Sequence, residues 1–212
     1  MKKIIIIFIG LCFLSCTQEK EIEKLNVLVI GNSITQNAPA ENIGWYGNWG
    51  MAASAPDKDF CSLLRNNQNI KSLTAINIAN WERDFSTDMN FLLKTTTNPY
   101  DLVIIRLGEN VSTTIGYEEA LTDFTKKFNC KIIITSTVWY APEKDLIASK
   151  VALDNDYIFC DLKDIQKDNS NYAYGQFPNK GVSAHPSDLG MRFIADKIIN
   201  SIETKIINHV FF

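Results

Sequence analysis

The chain has 212 residues, 46% of them hydrophobic, with 21 basic against 24 acidic side chains. That length supports one domain with a real core, while the acidic balance and the lack of a Lys/Arg cluster argue against nucleic acid, whose binding needs a concentrated basic face. With 2 histidines, no His-Glu-x-x-His and no Gly-Lys-Ser/Thr loop, neither a metal nor a phosphate cradle is expected, and no cofactor.

The first predicted element is a leader. Lys2 and Lys3 precede an apolar run from Ile4 to Leu14, too short to span a bilayer as a helix, which takes roughly 20 residues, but of the length of a secretory signal. Its end, Phe-Leu-Ser-Cys, resembles a bacterial lipoprotein signal, which implies a signal over residues 1–15, lipidation of Cys16 and an exported, lipid-anchored protein in the bacterial envelope. An ordinary cleaved signal with an incidental cysteine is the alternative. Residues 16–24 are polar and read as a tether with little to bury, and residues 25–212 as a single domain. Without Lys2 and Lys3 the 21 basic residues become 19 against 24 acidic ones, a net charge of −5.

Strand-like apolar runs follow at 27–31, 73–79, 101–108, 131–139 and 157–162. Helical spacing falls between them, at about 56–68, 84–96, 117–128 and 143–153, and a last helix from near Pro186 carries Leu189, Phe193, Ile194, Ile198 and Ile202 on one side. Near-continuous apolar strands alternating with helices predict an α/β fold: a three-layer α/β/α sandwich around a mainly parallel five-stranded sheet. Outside the leader lie Cys61, Cys130 and Cys160, an odd set without metal-ligand spacing. Cys130 and Cys160 read as small buried hydrophobes, although a disulfide between two of the three is open in an oxidising compartment. His209 reads as a surface residue of the C-terminal tail.

Four strand ends hold residues suited to chemistry, and ligands of open α/β sheets bind at strand carboxyl ends. Gly31-Asn32-Ser33 follows the first strand, where glycine permits a sharp turn that presents the serine hydroxyl. After the second comes Asn77-Ile78-Ala79-Asn80-Trp81-Glu82-Arg83. The third is followed by Gly108-Glu109-Asn110, with an amide donor in Asn110. Last, His185 stands just before the final helix. Each has an ordinary structural reading as turn or cap.

In this order, the four blocks resemble the SGNH (GDSL-type) hydrolase family over nearly the whole mature chain. The resemblance implies the flavodoxin-like fold of those hydrolases and acyl transfer on carboxylic esters. Ser33 then matches the nucleophile and, with its N–H, an oxyanion donor; Asn110 matches another donor, and His185 the general base. Three positions depart from the pattern. Asn32 replaces an aspartate. Glu82 occupies the glycine position of the second block, from which its N–H can still donate to the oxyanion while its carboxylate narrows the pocket or repels an oxyanion. Val182 stands where the acid that orients the histidine belongs. A backbone carbonyl can take over, giving a Ser-His dyad; Glu82 or Asp188 can supply a carboxylate; or catalysis is lost. The dyad is the reading taken, with Ser187 capping the last helix and Asp188 complementing its first turn.

The Gly-rich loop over residues 36–59 carries Trp45, Tyr46 and Trp49, and flat rings with polar edges suit stacking on sugars. The alternative is that they form the loop's own small core. Similarity to secreted or lipid-anchored Bacteroidetes proteins that process polysaccharides implies removal of short acyl groups, such as acetyl, from glycans. Asn32, Trp45, Trp49, Arg83 and Glu109 are the expected substrate-binding residues, an acylated carbohydrate the expected partner, and the membrane is met only through the anchor. A lysophospholipase or thioesterase, or a non-catalytic glycan-binding lipoprotein, stays open.

Overall fold

The structure, a computed structural model, describes residues 23–89 and 100–207. The leader, Cys16, most of the tether and His209 lie outside the described residues.

Five parallel strands form one sheet: β1 (Leu25–Gly31), β2 (Ile70–Asn77), β3 (Leu102–Ile105), β4 (Lys131–Thr135) and β5 (Ile158–Cys160), in the order β2-β1-β3-β4-β5. The alternation of side chains along a strand assigns each sheet face its own core. On one face Val27, Val29, Leu102, Ile104 and Ile133 pack against α1 (Phe60–Arg65) and α6 (Asp188–Ile202). On the other, Leu28, Ile30, Val103, Ile105 and Ile132 meet α2 (Ala79–Arg83), α3 (Tyr117–Thr125) and α4 (Pro142–Asp154). With both faces covered, the strands are buried throughout, hence their nearly unbroken apolar sequence.

All five predicted strands are present, with different ends. The third and fourth stop early, at Ile105 and Thr135: Leu107 and Val138 lie beyond the paired residues, and their apolar side chains are buried in the two core clusters instead. Helix α1 begins at Phe60 rather than 56, where Asp59 accepts from Ser62 N–H at 2.6 Å and also from Gly50 N–H at 3.0 Å. One carboxylate thus starts the helix and ties down the Gly-rich loop. The helix expected over 84–96 is corrected over its described part: a shorter helix, α2, comes before it, and residues 84–89 form turns. Leu189 is corrected too, being 59% exposed, because the buried stripe of α6 runs through Met191, Ile194, Ala195, Ile198 and Ile202. Cys61, Cys130 and Cys160 are free thiols, so the open disulfide is not formed. Burial raises the pKa of each.

In this strand order the chain moves to one side of β1 for β2 and to the other for β3. The crevice beyond the ends of β1 and β3 is therefore the switch point at which such sheets bind ligands.

Candidate active site

The turn after β1 requires a glycine. A Cβ on Gly31 would lie 2.0 Å from Thr35 Oγ1 and 3.0 Å from the Arg106 carbonyl, so no other residue fits without displacing backbone. Thr35 and Gln36 N–H then both donate to the Asn32 carbonyl, at 2.9 and 3.1 Å, and Ser33 is brought to the edge of the sheet. The Ser33 N–H engages no backbone acceptor among the described residues.

Asn32 points the other way and is fully buried. Its Nδ2 donates to Glu109 Oε2 at 2.8 Å and to Glu82 Oε1 at 3.3 Å, while its Oδ1 accepts from Ile34 N–H and Arg106 Nη1. The expected substrate contact at Asn32 is therefore corrected to an internal brace. Glu109 is corrected likewise: its side chain is 1% exposed, ion-paired with the buried Arg106, and accepts from Val138 N–H at 3.1 Å. These partners explain why asparagine stands here. An aspartate would set a third carboxylate against Glu82 and Glu109, whereas an amide donates to both.

Glu82 does not project into the open cleft. It is 1% exposed, and its carboxylate accepts from Gly108 N–H at 2.7 Å, Asn110 N–H at 3.3 Å and Asn110 Nδ2 at 2.7 Å, besides Asn32. The expected narrowing of the pocket by this carboxylate is thus corrected. Burial raises its pKa, the Glu109 charge adds to that, and the donors from Gly108 and Asn110 oppose it. Asn110 uses one amide hydrogen on Glu82, takes Arg83 Nη2 on its Oδ1 at 3.1 Å, and keeps the second amide hydrogen without a partner among the described residues.

His185 is positioned from the opposite side. Asn179 caps α5 (Lys180–Ser183) by accepting from Gly181 and Val182 N–H at 2.8 and 3.1 Å. One turn on, His185 Nδ1 lies 2.8 Å from the Gly181 carbonyl and Nε2 2.8 Å from Ser33 Oγ. A carbonyl can only accept, so Nδ1 bears the hydrogen and the Nε2 lone pair faces the serine hydroxyl, which donates to it. Val182, where an acid was sought, is buried in an apolar cluster with Trp45, Met51, Ala52 and Ala173. Neither candidate carboxylate is bonded to the histidine: Glu82 is engaged as above, and Asp188 accepts from the N–H and Oγ–H of Ser54 at 2.8 and 2.6 Å. Ser187 caps α6, taking Gly190 N–H at 3.4 Å.

Trp139 completes the setting and escaped the sequence reading, although it stands at the end of the fourth apolar run. Its ring meets His185 edge-on at 5.4 Å, and its Nε1 donates to the Ala184 carbonyl at 3.0 Å. Burial lowers the pKa of His185; the Gly181 carbonyl opposes this, Arg106 lowers it further and Glu109 raises it. An imidazole held neutral beside a hydroxyl is suited to accept that proton as the oxygen attacks an acyl carbon.

The cleft beside Ser33 has a volume of about 430 Å³ and includes Asn37, Asn77, Asn80, Arg83 and Met89 in its lining. Arg83 is exposed there and bonds Asn80 and Asn110, not Glu82. Trp45 and Trp49 are corrected. Trp45 is 3% exposed with its Nε1 on the Asn37 carbonyl, and Trp49 packs against it with centroids 5.6 Å apart and its Nε1 on the Ala53 carbonyl. They are the core of their own loop.

No protein-family model matches the chain, and no curated protein does. Solved structures share its fold. An acetyl xylan esterase from Geobacillus stearothermophilus superposes with a TM-score of 0.59 at 19% identity, over 88% of this chain and 98% of the other. A candidate GDSL-like lipase from Bacteroides ovatus gives 0.58 at 13%, over 86% and 100%. A family two carbohydrate esterase from Cellvibrio japonicus gives 0.53 at 14%, over 87% of this chain and 62% of that one. The fold is thus the α/β arrangement of SGNH hydrolases.

Proposed function

We propose that the chain is a serine ester hydrolase that removes short acyl groups from carbohydrate through a Ser33–His185 dyad. The observation that carries this reading is the pair of 2.8 Å contacts on His185, Nδ1 to the Gly181 carbonyl and Nε2 to Ser33 Oγ. His185 accepts the Ser33 proton, Oγ attacks the ester carbonyl, and the protonated imidazole returns the proton to the departing alcohol. Water, deprotonated by the same imidazole, then frees the acyl group. The Ser33 N–H and the second amide hydrogen of Asn110 receive the developing oxyanion, with Glu82 holding Asn110 in place. The carbonyl of Gly181 sets the tautomer as a triad carboxylate would, without its charge.

Two observations support a short acyl group on a glycan. The described lining of the cleft sets the polar Asn37, Asn77, Asn80, Arg83 and Thr87 among the apolar Ile78, Ala79, Trp81 and Met89, polar groups that suit a hydroxylated substrate. Esterases of acetyl xylan and of other carbohydrates also stand among the structures of like fold. The leader extends the proposal to an exported protein with lipid on Cys16.

The test is hydrolysis of p-nitrophenyl acetate, butyrate and octanoate by the protein beside its Ser33→Ala variant. Turnover should be greatest on acetate and vanish in the variant; equal turnover by both would end the assignment.

A further inference from the structure

The loop bearing His185 is bonded along its length to a second segment. Tyr172 forms an antiparallel bridge with Pro186, Ala173 N–H donates to the His185 carbonyl at 2.9 Å, and Gly175 N–H reaches Ser183 Oγ at 3.3 Å. Tyr172 is buried with its hydroxyl on the Val138 carbonyl at 2.5 Å. Tyr174 stacks on it, centroids 5.2 Å apart and planes 29° from parallel, yet stays 54% exposed. Leu189, at the start of α6, borders the same cavity as the tyrosines and is 59% exposed. Together with Asn169, Ser170 and Gln176 they line a cavity of about 610 Å³.

The chemistry of this shelf is selective. None of its lining residues is cationic, and its one carboxylate, on Asp188, is taken up by Ser54. A phosphate, sulfate or uronate would find no counter-charge. What the shelf offers is a tyrosine ring backed by a second ring, an apolar side chain, and exposed amide and hydroxyl groups. A neutral pyranose presents the complement, an apolar C–H face rimmed by hydroxyls. Because Tyr172 is pinned and Tyr174 rests on it, little side-chain freedom is lost on binding. The cleft near Tyr140 is less suited, since its Lys163 already pairs with Asp161 at 2.8 Å.

We infer that this shelf holds a neutral sugar unit of the substrate chain beside the dyad, Tyr174 being its stacking platform, so that the preferred substrates are esters of neutral glycans. His185 joins the two places: its Nε2 meets Ser33 in the cleft, and its carbonyl holds Ala173 between the two tyrosines. The inference rests on the esterase reading for the word substrate, but not for binding.

Calorimetry with xylohexaose, cellohexaose, mannohexaose and hexagalacturonate tests it on the protein and on Tyr174→Ala and Tyr174→Phe. At least one neutral hexasaccharide should bind with a Kd of about 1 mM or tighter, Tyr174→Ala should weaken it about tenfold, and Tyr174→Phe, which keeps the ring, should restore it. The shelf is overturned if no neutral hexasaccharide binds, if hexagalacturonate binds equally well, or if Tyr174→Ala leaves the affinity unchanged. Acetate-ester hydrolysis on the same samples separates the two readings: sugar binding through Tyr174 without hydrolysis would retain the shelf and end the esterase assignment.

Discussion

A histidine that leans on a carbonyl lacks the negative charge with which a triad carboxylate stabilises the imidazolium, and so its titration is governed by burial. Here burial moves the pKa of His185 below the ordinary 6.5. The sign for activity follows directly: the base must be neutral, so kcat/KM falls as pH drops through that lowered pKa and holds its plateau above it. If Ser33 and His185 act as proposed, at pH 6.5 the protein should keep more than half of its plateau rate on an acetate ester. A pH–rate profile between pH 4.5 and 8, with two-dimensional NMR of the imidazole, checks this; a midpoint above 6.5 would contradict the burial argument. That Ser33 and His185 come together was legible in sequence because each stands at the ligand-binding edge of such a sheet, one at a strand end and the other just before the last helix. The fates of Asn32, Glu109, Trp45 and Trp49 were not. Whether a polar side chain such as Asn32 faces ligand or the interior depends on distant partners such as Arg106, 74 residues away, which no spacing rule pairs, and whether Trp49 faces ligand or its own loop depends on how that loop folds to offer the Ala53 carbonyl.

At the scale of elements, the instructive piece is α2. It has five residues, too few for a helical period to show, and so the sequence suggested a helix further on. Its function is to deliver Glu82 into the loop after β3. That carboxylate collects four donors from Asn32, Gly108 and Asn110, so two segments meeting at the site are fixed by one buried group. Removing it in Glu82→Ala would leave buried N–H groups unpaired, at about 1–3 kcal/mol for each that finds no water. Stability to urea should therefore fall by roughly 2–4 kcal/mol. Freed from Glu82, Asn110 would no longer be aimed, and kcat should fall on the order of 10²-fold with a smaller change in KM. Adding Asn110→Ala should then cost little more, since the two act as a unit, and a double-mutant cycle in kcat measures that coupling. Independent losses would show that Glu82 serves the fold alone.

For the whole molecule, parallel strands give the sheet a direction that bears on the proposed anchor. The chain enters β1 at Leu25 and reaches the edge that carries Ser33 at Gly31, six residues later, a distance of roughly 20 Å at about 3.3 Å per residue. The entry end and the end that carries Ser33 are thus opposite edges of one sheet. Lipid on Cys16 would hold the protein by the edge away from Ser33, through a polar tether that Leu25 begins to leave, and the cleft would face outward. That geometry favours a soluble glycan over a lipid of the same bilayer, which would have to rise past the domain to reach the serine. Reconstituting the lipidated protein in vesicles tests this orientation. Its kcat/KM on an acetylated neutral oligosaccharide in solution should match that of the unlipidated protein, while a lysophospholipid in the same vesicles should be left intact. Faster turnover of the vesicle lipid than of the sugar ester would place the reacting edge at the membrane, and the direction of β1 would then have to be offset by a tether folded back along the domain.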